Sequence, residues 1–320
     1  MKITRLAALA AAALAFALPA FAQKFPSKPV SLVVPYPPGG SNDTFARALG
    51  KKLSDAWGQP VIIENKPGAG GSIGAAFVNK AAPDGHTFML LSSSFTTGAA
   101  INPRWPFDPV KGFTPLAMVA RGPMVLTVSN GLPAKSFAEF LALAKAQPGK
   151  LNFGSSGQGS TNHFAAELLQ NAAGIKMTHV PYKGMGPATA DVIAGHIDVL
   201  IASAPSIMQH VKAGKVRGLG VTSKGPSAVV PDMPAISASV PGYSFELWWG
   251  VLAPPGMAKD LVASLNAEIN KAIGSADFRE ILAREGTEPY VVTAEEAART
   301  VASEIEEWKS IAARAGIKAE

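Results

Sequence analysis

The chain has 320 residues, with 29 basic and 23 acidic side chains and no cysteine. Without cysteine it forms neither disulfide bonds nor thiolate metal sites, and it has no cysteine nucleophile. Its formal charge of +6 is not gathered into a basic stripe, so the sequence does not indicate a nucleic-acid-binding protein.

The N-terminus has the pattern of a secretory signal peptide. Lys2 and Arg5 precede 13 residues rich in Ala and Leu, residues 6–18. The AFA sequence at residues 20–22 then offers the small residues that a signal peptidase recognises. The apolar run is shorter than the roughly 20 residues that span a bilayer. We therefore expect cleavage after Ala22 and a mature protein located in a bacterial periplasm.

Short apolar runs alternate with amphipathic helical patterns along the remaining chain. Strands are predicted over residues 30–35, 61–64, 87–91, 116–129, 151–154, 178–181, 197–202, 216–221 and 247–253. Helices are predicted over residues 42–57, 72–80, 136–147, 161–173, 187–194, 206–213, 259–274, 276–285 and 294–313. This alternation is typical of an α/β protein with mostly parallel sheets and helices on both faces.

Some helix starts carry a capping signature. Ser136 is followed by Glu139, and Thr293 by Glu296, which is the spacing of a capping box. These two positions are predicted to fix the beginnings of their helices.

The length after cleavage suggests about two domains, yet no flexible linker separates them. Two long apolar stretches, residues 116–129 and 243–253, are predicted to pass directly between the domains. We expect lobe 1 to contain residues 23–122 and 246–320, and lobe 2 to contain residues 123–245. The ligand cleft is then expected between the two lobes.

The stretch PYPPGGSNDTFAR, residues 35–47, joins a predicted strand to a predicted helix. Its prolines restrict the backbone, while Gly39 and Gly40 allow a ligand to come close. A helix N-terminus offers unpaired N–H groups and partial positive charge, which suit a carboxylate or a phosphate. Taken by itself, the stretch fits an ordinary strand-to-helix turn better, with Ser41 or Asn42 as the N-cap.

Two further glycine-rich turns lack established catalytic and nucleotide motifs. In GAGGSIG, residues 68–74, Ile73 occupies a position where a dinucleotide fingerprint needs glycine. In GSSGQGSTNH, residues 154–163, Gln158 occupies a position where a nucleophile elbow needs glycine. The five histidines show no metal-ligand spacing. We therefore expect no cofactor and no metal ion, and the last turn leaves a cradle of hydroxyl and amide groups.

Five segments in order resemble the signatures of Bug-type receptors, the binding proteins of tripartite tricarboxylate transporters. They are PYPPGGSNDTFAR, VIIENKPGAGGSIGAAFVNKAAPDGHT, NFGSSGQGSTNHFAAELL, VPYKGMGPATADVIAGHIDV and FELWWGVLAPPGM. The resemblance covers nearly all of residues 28–310. It implies a two-lobed Venus-flytrap fold of the periplasmic-binding-protein type, which closes on a small organic carboxylate: a dicarboxylate, a tricarboxylate or an aromatic acid. It also implies delivery to the large and small membrane subunits of a transporter, and we expect the receptor to be a monomer.

The resemblance also implies positions for the ligand-binding residues. Lobe 1 would contribute Gly40, Ser41, Asn42, Ser92, Ser93 and Phe95. Lobe 2 would contribute Ser155, Ser160, Thr161, Tyr182, Lys183 and Asp198. Asp198 matches an acidic family position that acts through water. The chain departs from the family pattern at residues 98–100, which are Gly-Ala-Ala, so the pocket near Phe95 is expected to differ and the resemblance does not name the ligand.

Other functions stay open at the level of sequence. A receptor of this kind could serve a signalling partner without transport. A secreted serine hydrolase would use Ser155 or Ser156 with His163, although the failed nucleophile elbow and the lack of an acid partner speak against it. A structural or adhesion protein would not need the ordered polar turns. We therefore expect a binding protein and not an enzyme.

Overall fold

The computed structural model describes residues 25–318. The predicted signal peptide, residues 1–22, lies outside the described residues. Ten strands are present between residues 25 and 318: β1 (Val30–Val34), β2 (Val61–Asn65), β3 (Thr87–Ser92), β4 (Thr114–Val128), β5 (Asn152–Ser155), β6 (Thr178–Pro181), β7 (Val199–Ser203), β8 (Arg217–Val221), β9 (Glu246–Ala253) and β10 (Glu288–Pro289).

Ten α-helices accompany these strands in the same part of the chain. They are α1 (Ser41–Trp57), α2 (Ser72–Asn79), α3 (Ser94–Ile101), α4 (Phe137–Ala146), α5 (Thr161–Ala173), α6 (Met185–Ala194), α7 (Ala204–Lys212), α8 (Lys259–Ile273), α9 (Ala276–Arg284) and α10 (Ala294–Ala315). The predicted strands and helices are confirmed to within a few residues at their ends. Helix α3 and strand β10 were not predicted. Helix α3 contains two threonines and a glycine, which are weak helix formers, and β10 has only two residues, one of them proline.

The strands form one continuous path in the order β2-β1-β3-β9-β4-β7-β5-β6, and β8 and β10 pair with β4 beside this path. Strands β1, β2 and β3 are parallel to one another, as are β5, β6 and β7. Strands β4 and β9 run antiparallel to their neighbours and lie between these two parallel blocks. The result is a two-lobed α/β protein, as the sequence predicted.

Strand β4 changes its partners where the two blocks meet. Pro123 still pairs with Glu246 of β9, whereas Met124 pairs with Ser203 of β7. Proline has no N–H group to donate, so the ladder is weakened at the position where the partner changes. This change supports the lobe division after residues 122 and 245, which we keep as a proposal.

The helices are held by apolar stripes. In α10 the side chains of Val301, Ile305, Trp308 and Ile311 are all at most 5% exposed, and they recur at the three- and four-residue spacing of one helix face. Burying each contributes about 1.5–3 kcal/mol. The helix begins at a complete capping box, in which Thr293 and Glu296 bond each other's backbone N–H groups.

Candidate ligand-binding site

Strands β4 and β9 pass between the two parallel blocks near Pro123 and Glu246, a region called the β4–β9 crossing here. The carboxyl ends of both parallel blocks face this crossing. Ser92, the last residue of β3, pairs with Trp249 near the beginning of β9. Ser203, the last residue of β7, pairs with Met124 at the partner change in β4. Because parallel strands end at the same edge, the turns that follow β1, β2, β3, β5, β6 and β7 all lie on the sides of the two lobes that face the crossing. Open α/β sheets bind ligands at such edges.

The turn after β1 is fixed by Asp43, the third residue of α1. The Asp43 carboxylate accepts hydrogen bonds from the Gly39 N–H at 3.1 Å, from Arg47 Nε at 2.9 Å and from Asn65 Nδ2 at 3.0 Å. The bond from Arg47 is the main cause that lowers the pKa of Asp43 below its usual value, with help from Asn65 and Gly39. Arg47 of α1 therefore balances the charge of Asp43, and the bond to Gly39 fixes the turn at the start of this helix.

The residues that begin α1 remain available for contact with a ligand. Gly40 is the N-cap in an extended conformation, and a side chain there would meet none of the described residues within 4 Å. Asn42 Oδ1 is buried without a hydrogen-bond partner among the described residues. Buried polar atoms are nearly always bonded to protein or to ordered water, so this oxygen is suited to a ligand or a water that the site orders.

The turn after β3 contributes three consecutive serines. Ser92 Oγ and Ser94 Oγ bond each other at 2.8 Å, and Tyr36 Oη reaches Ser94 Oγ at 2.8 Å. Ser93 is 1% exposed, and its Oγ has no partner within residues 25–318. Its backbone N–H donates to Trp248 O at 2.9 Å. The second orphaned polar atom thus lies at the N-terminus of α3, directly against β9.

A partly buried carboxyl lies behind this turn. Glu304 Oε2 of α10 accepts from Trp248 Nε1 at 2.8 Å and from Thr96 Oγ1 at 2.9 Å. Trp308 Nε1 donates to the same Thr96 Oγ1 at 3.2 Å. Burial raises the pKa of Glu304 to about 7, against the lowering effect of these bonds. The network joins α3, β9 and α10 below the serine turn.

The turn after β5 is the cradle of lobe 2. Ser160 is the N-cap of α5, since its Oγ accepts from the His163 N–H, and it also donates to Gly157 O at 2.7 Å. Thr161, the first residue of α5, is half-buried. The turn lies near lobe 1, because a side chain at Gly159 would overlap Ile101, the last residue of α3.

The serines of this turn are not paired with His163 as a hydrolase would require. Ser156 Oγ donates to Asn162 Oδ1 at 2.8 Å, and His163 Nδ1 accepts from the Gly159 N–H at 3.1 Å. Ser155 Oγ contacts His179 Nε2 at 2.6 Å, but its hydroxyl donates to Gly157 O at 3.0 Å. A serine nucleophile must give its proton to the base, so the geometry does not support the hydrolase hypothesis.

Two other predicted site residues differ in their exposure to solvent. Phe95 is 2% exposed and packs among Trp105, Phe107 and Phe113, so its visible role is in the core of lobe 1. Lys183 is exposed just after β6.

Tyr182 lies beside the lobe 2 cradle, and its N–H donates to Ser155 O. Its hydroxyl donates to Asp191 at 2.6 Å. Burial, followed by the bond to Asp191, raises the pKa of Tyr182 to about 12. The hydroxyl therefore stays protonated and already has a partner within lobe 2.

Asp198 is not brought together with the other predicted residues. It directly precedes β7, and its carboxylate accepts from the Asn152 N–H at 2.8 Å at the beginning of β5. These are the amino ends of the parallel strands, whereas Ser155 and Ser203 lie at the carboxyl ends. The structure gives Asp198 a role in joining two strands, and we leave it out of the candidate site.

Sequence reasoning missed His179 and Glu304. Both are partners of predicted turns but lie far along the chain, 24 residues from Ser155 and 208 residues from Thr96. The sequence did contain one signal for Glu304: it is a titratable residue directly before the buried Ile305 in an amphipathic helix. Within residues 25–318, no group of three or more His, Asp or Glu side chains could hold a metal ion, and no helix has the length and hydrophobicity that crossing a membrane demands.

Comparison with protein families gives one match that spans most of the chain. Residues 45–317 match the model of the tripartite tricarboxylate transporter family receptor. BugT of Bordetella pertussis is 34% identical over 324 residues, which covers 99% of each chain. A protein encoded in the tcbD-tcbE intergenic region of Pseudomonas sp. strain P51 is 39% identical over 289 residues, 90% of this chain and 86% of that protein.

Solved structures with the same fold include two that hold carboxylates. An R. palustris protein determined with adipate superposes with a TM-score of 0.81 at 34% identity, covering 92% of this chain and 99% of that one. MatC from Rhodopseudomonas palustris with bound malate gives a TM-score of 0.75 at 32% identity, covering 90% of this chain and 99% of that one.

Proposed function

Because this chain belongs to the family of tripartite tricarboxylate transporter receptors, we propose that it captures a small organic carboxylate by closing its two lobes. It acts in the periplasm as a monomer, without catalysis, and delivers the ligand to the large and small membrane subunits of a transporter. Adipate and malate in two similar structures support dicarboxylates as the first ligands to test.

The observation that carries this proposal is the pair of orphaned polar atoms at the carboxyl edge of lobe 1. Asn42 Oδ1 and Ser93 Oγ are buried without partners among the described residues, and each lies at the N-terminus of a helix. Helix N-termini favour anions. The Ser93 hydroxyl can donate to a carboxylate, whereas Asn42 Oδ1 only accepts and therefore suits a water molecule beside the ligand.

Lobe 2 would complete the site with Ser160 and Thr161 at the N-terminus of α5. Hydrogen bonds to a charged group contribute about 1.5–3 kcal/mol each, and micromolar affinity corresponds to about 8 kcal/mol. A few such bonds, shared between the lobes, are therefore enough for a receptor. Tyr182 and Lys183 would border the site, and Ser92 and Ser155 would support the turns from within.

The first test is thermal unfolding of residues 23–320 with adipate, malate, a tricarboxylate, a monocarboxylate and the neutral diamide of adipate. A ligand that binds only the folded state raises the melting temperature. We expect an increase with at least one acid and none with the diamide. No increase with any acid, measured again after denaturation and refolding to remove carried-over ligand, would contradict the proposal.

Ser93→Ala tests the orphaned hydroxyl. Since this hydroxyl has no partner to lose among residues 25–318, the unliganded protein should keep its stability, while affinity for the acid should fall about tenfold or more. Ser54→Ala is the matched control, because Ser54 Oγ bonds Gly50 O and the Val61 N–H. That variant should lose stability by about 1 kcal/mol and keep its affinity. Calorimetric titration measures both affinities, and an unchanged affinity in Ser93→Ala would remove Ser93 from the site.

A further inference from the structure

Two histidines stack beneath the lobe 2 cradle. The rings of His163 and His179 have centroids 3.9 Å apart and planes 17° apart, and the Phe153 ring lies against both, with its centroid 4.8 Å from that of His179 and 6.1 Å from that of His163. His163 is 4% exposed and Ser155 is fully buried. His179 is half-buried, and the burial of polar rings needs a reason, because it is costly unless they are hydrogen-bonded.

The two rings bond opposite ends of the same turn. His179 Nε2 lies 2.6 Å from Ser155 Oγ, and this hydroxyl also bonds the O and N–H of Gly157 at 3.0 and 3.1 Å. His163 Nδ1 accepts the Gly159 N–H at 3.1 Å. The pair therefore fixes both ends of residues 155–159, immediately before Ser160 and Thr161.

The hydrogen bond from the Gly159 N–H requires a neutral His163 ring. His163 Nδ1 accepts a hydrogen bond, so its proton is on Nε2, which lies 3.7 Å from Glu167 Oε1. A second proton on His163 would point at the Gly159 N–H and break the bond. Two stacked cations would also repel each other. Burial, together with His163, lowers the pKa of His179 to about 4, and Glu167 opposes this shift.

We infer that His179 and His163 are positioning residues for the ligand: as two stacked neutral imidazoles, they hold residues 155–159 in the conformation that presents the N-terminus of α5 to the cleft. This inference rests on the proposed function for its consequence in binding. The charged or titratable groups facing the pair are the two rings themselves and Glu167 of α5. Phe153 of β5 and Ser155 are its uncharged neighbours.

The test compares His179→Leu with His179→Gln. Leucine fills the space but has no hydrogen-bonding group, whereas the glutamine amide can reach Ser155 Oγ in place of Nε2 and does not ionise. His210→Gln on α7 is the control, because His210 lies outside the cradle. Amide hydrogen exchange of residues 155–163 is measured first, in the unliganded mature protein. We expect exchange about tenfold faster in His179→Leu, and close to wild type in His179→Gln and His210→Gln.

The second measurement is the affinity for adipate or malate, whichever raises the melting temperature. His179→Leu should bind up to about tenfold more weakly. The ratio of wild-type to His179→Gln affinity should be near one at pH 7 and should fall as the pH approaches 4. Only the wild type has an ionisable side chain at position 179. Ligand protonation affects both proteins equally and cancels in this ratio.

Two results would overturn the inference. One is unchanged exchange of residues 155–163 in His179→Leu. The other is a His179→Gln variant whose exchange and affinity are as impaired as those of His179→Leu. In that case the shape of the side chain, and not its hydrogen bond to Ser155, would hold the turn. If neither acid binds the wild type, the proposed ligand class fails, whereas the exchange measurement still decides whether the histidines hold the turn.

Discussion

Glu304 is the residue that supports the turn after β3, which contains Ser93. Its carboxyl receives the Trp248 indole N–H and the Thr96 hydroxyl, so a single group holds β9 and α3 against α10. Desolvation disfavours the charged form, which is why the pKa of Glu304 is raised to about 7. A group that holds its proton more tightly in the folded state makes stability depend on pH.

Glu304→Gln should remove this dependence. The stabilising contribution of a neutral Glu304 is complete below its ordinary pKa of 4.5 and is lost as the pH rises through about 7. The wild type should therefore lose up to about 3 kcal/mol between pH 5 and pH 8, and Glu304→Gln should lose less. Glu306→Gln, on the same helix with its side chain 71% exposed, is the control. Urea unfolding at each pH measures the difference, and parallel curves for wild type and Glu304→Gln would contradict the assignment.

Helix α5 carries the lobe 2 half of the candidate site at the scale of an element. Glycines with left-handed backbone flank both ends, Gly159 with φ +72° and Gly174 with φ +63°. Gly159 lies against Ile101 of lobe 1, whereas a side chain at Gly174 would meet no atom of residues 25–318 within 4 Å. Both ends of α5 therefore require a residue that adopts the left-handed conformation, but only the Gly159 end lies beside lobe 1.

Gly159→Ala and Gly174→Ala separate these effects. A left-handed conformation costs a non-glycine residue about 1–2 kcal/mol, so both variants should lose stability to a similar extent. Gly159→Ala should also weaken ligand binding, because the turn must shift away from Ile101. Equal affinities for the two variants, measured by calorimetric titration at a temperature where both are folded, would count against a ligand site at the N-terminus of α5.

The crossing of β4 and β9 organises the whole molecule. The carboxyl ends of both parallel blocks face it, so α1 and α3 on one side and α5 on the other can hold one ligand between them. A ligand bound by both lobes favours their closed arrangement by its differential affinity for that arrangement. The affinity should then depend on polar side chains from both lobes.

Ser41→Ala and Thr161→Ala test this dependence on both lobes. Ser41 and Thr161 are the first residues of α1 and α5, and both are half-buried. The double variant should bind at least tenfold more weakly than wild type while the melting temperature of the unliganded protein stays the same. Small-angle scattering should show a smaller radius of gyration on ligand binding in the wild type. An unchanged affinity in the double variant would contradict the assignment of both residues.

Much of the architecture follows from local chemistry and was predictable. The Thr293 capping box, the Gly39-Gly40 turn and the apolar runs of β1 and β3 involve residues close in sequence, whose contacts form in nearly any fold that contains them. The unpredicted α3 shows the limit of this reasoning. Its eight residues have weak helix propensity, and they become helical because Phe95 and Ala99 are buried against the rest of lobe 1.

Local patterns along the chain were enough to predict the α/β class, the order of the elements and the polar turns that end the strands. Which side chains meet at those turns depends on the tertiary structure. It placed Asp198 at the amino ends of the strands, joined Ser155 to His179, and left Ser93 Oγ without a partner in the part of the chain that the structure describes. Secondary structure depends on periodicity within one segment, whereas a site depends on the register between strands that are distant in sequence. That register is fixed by the packing of the whole core.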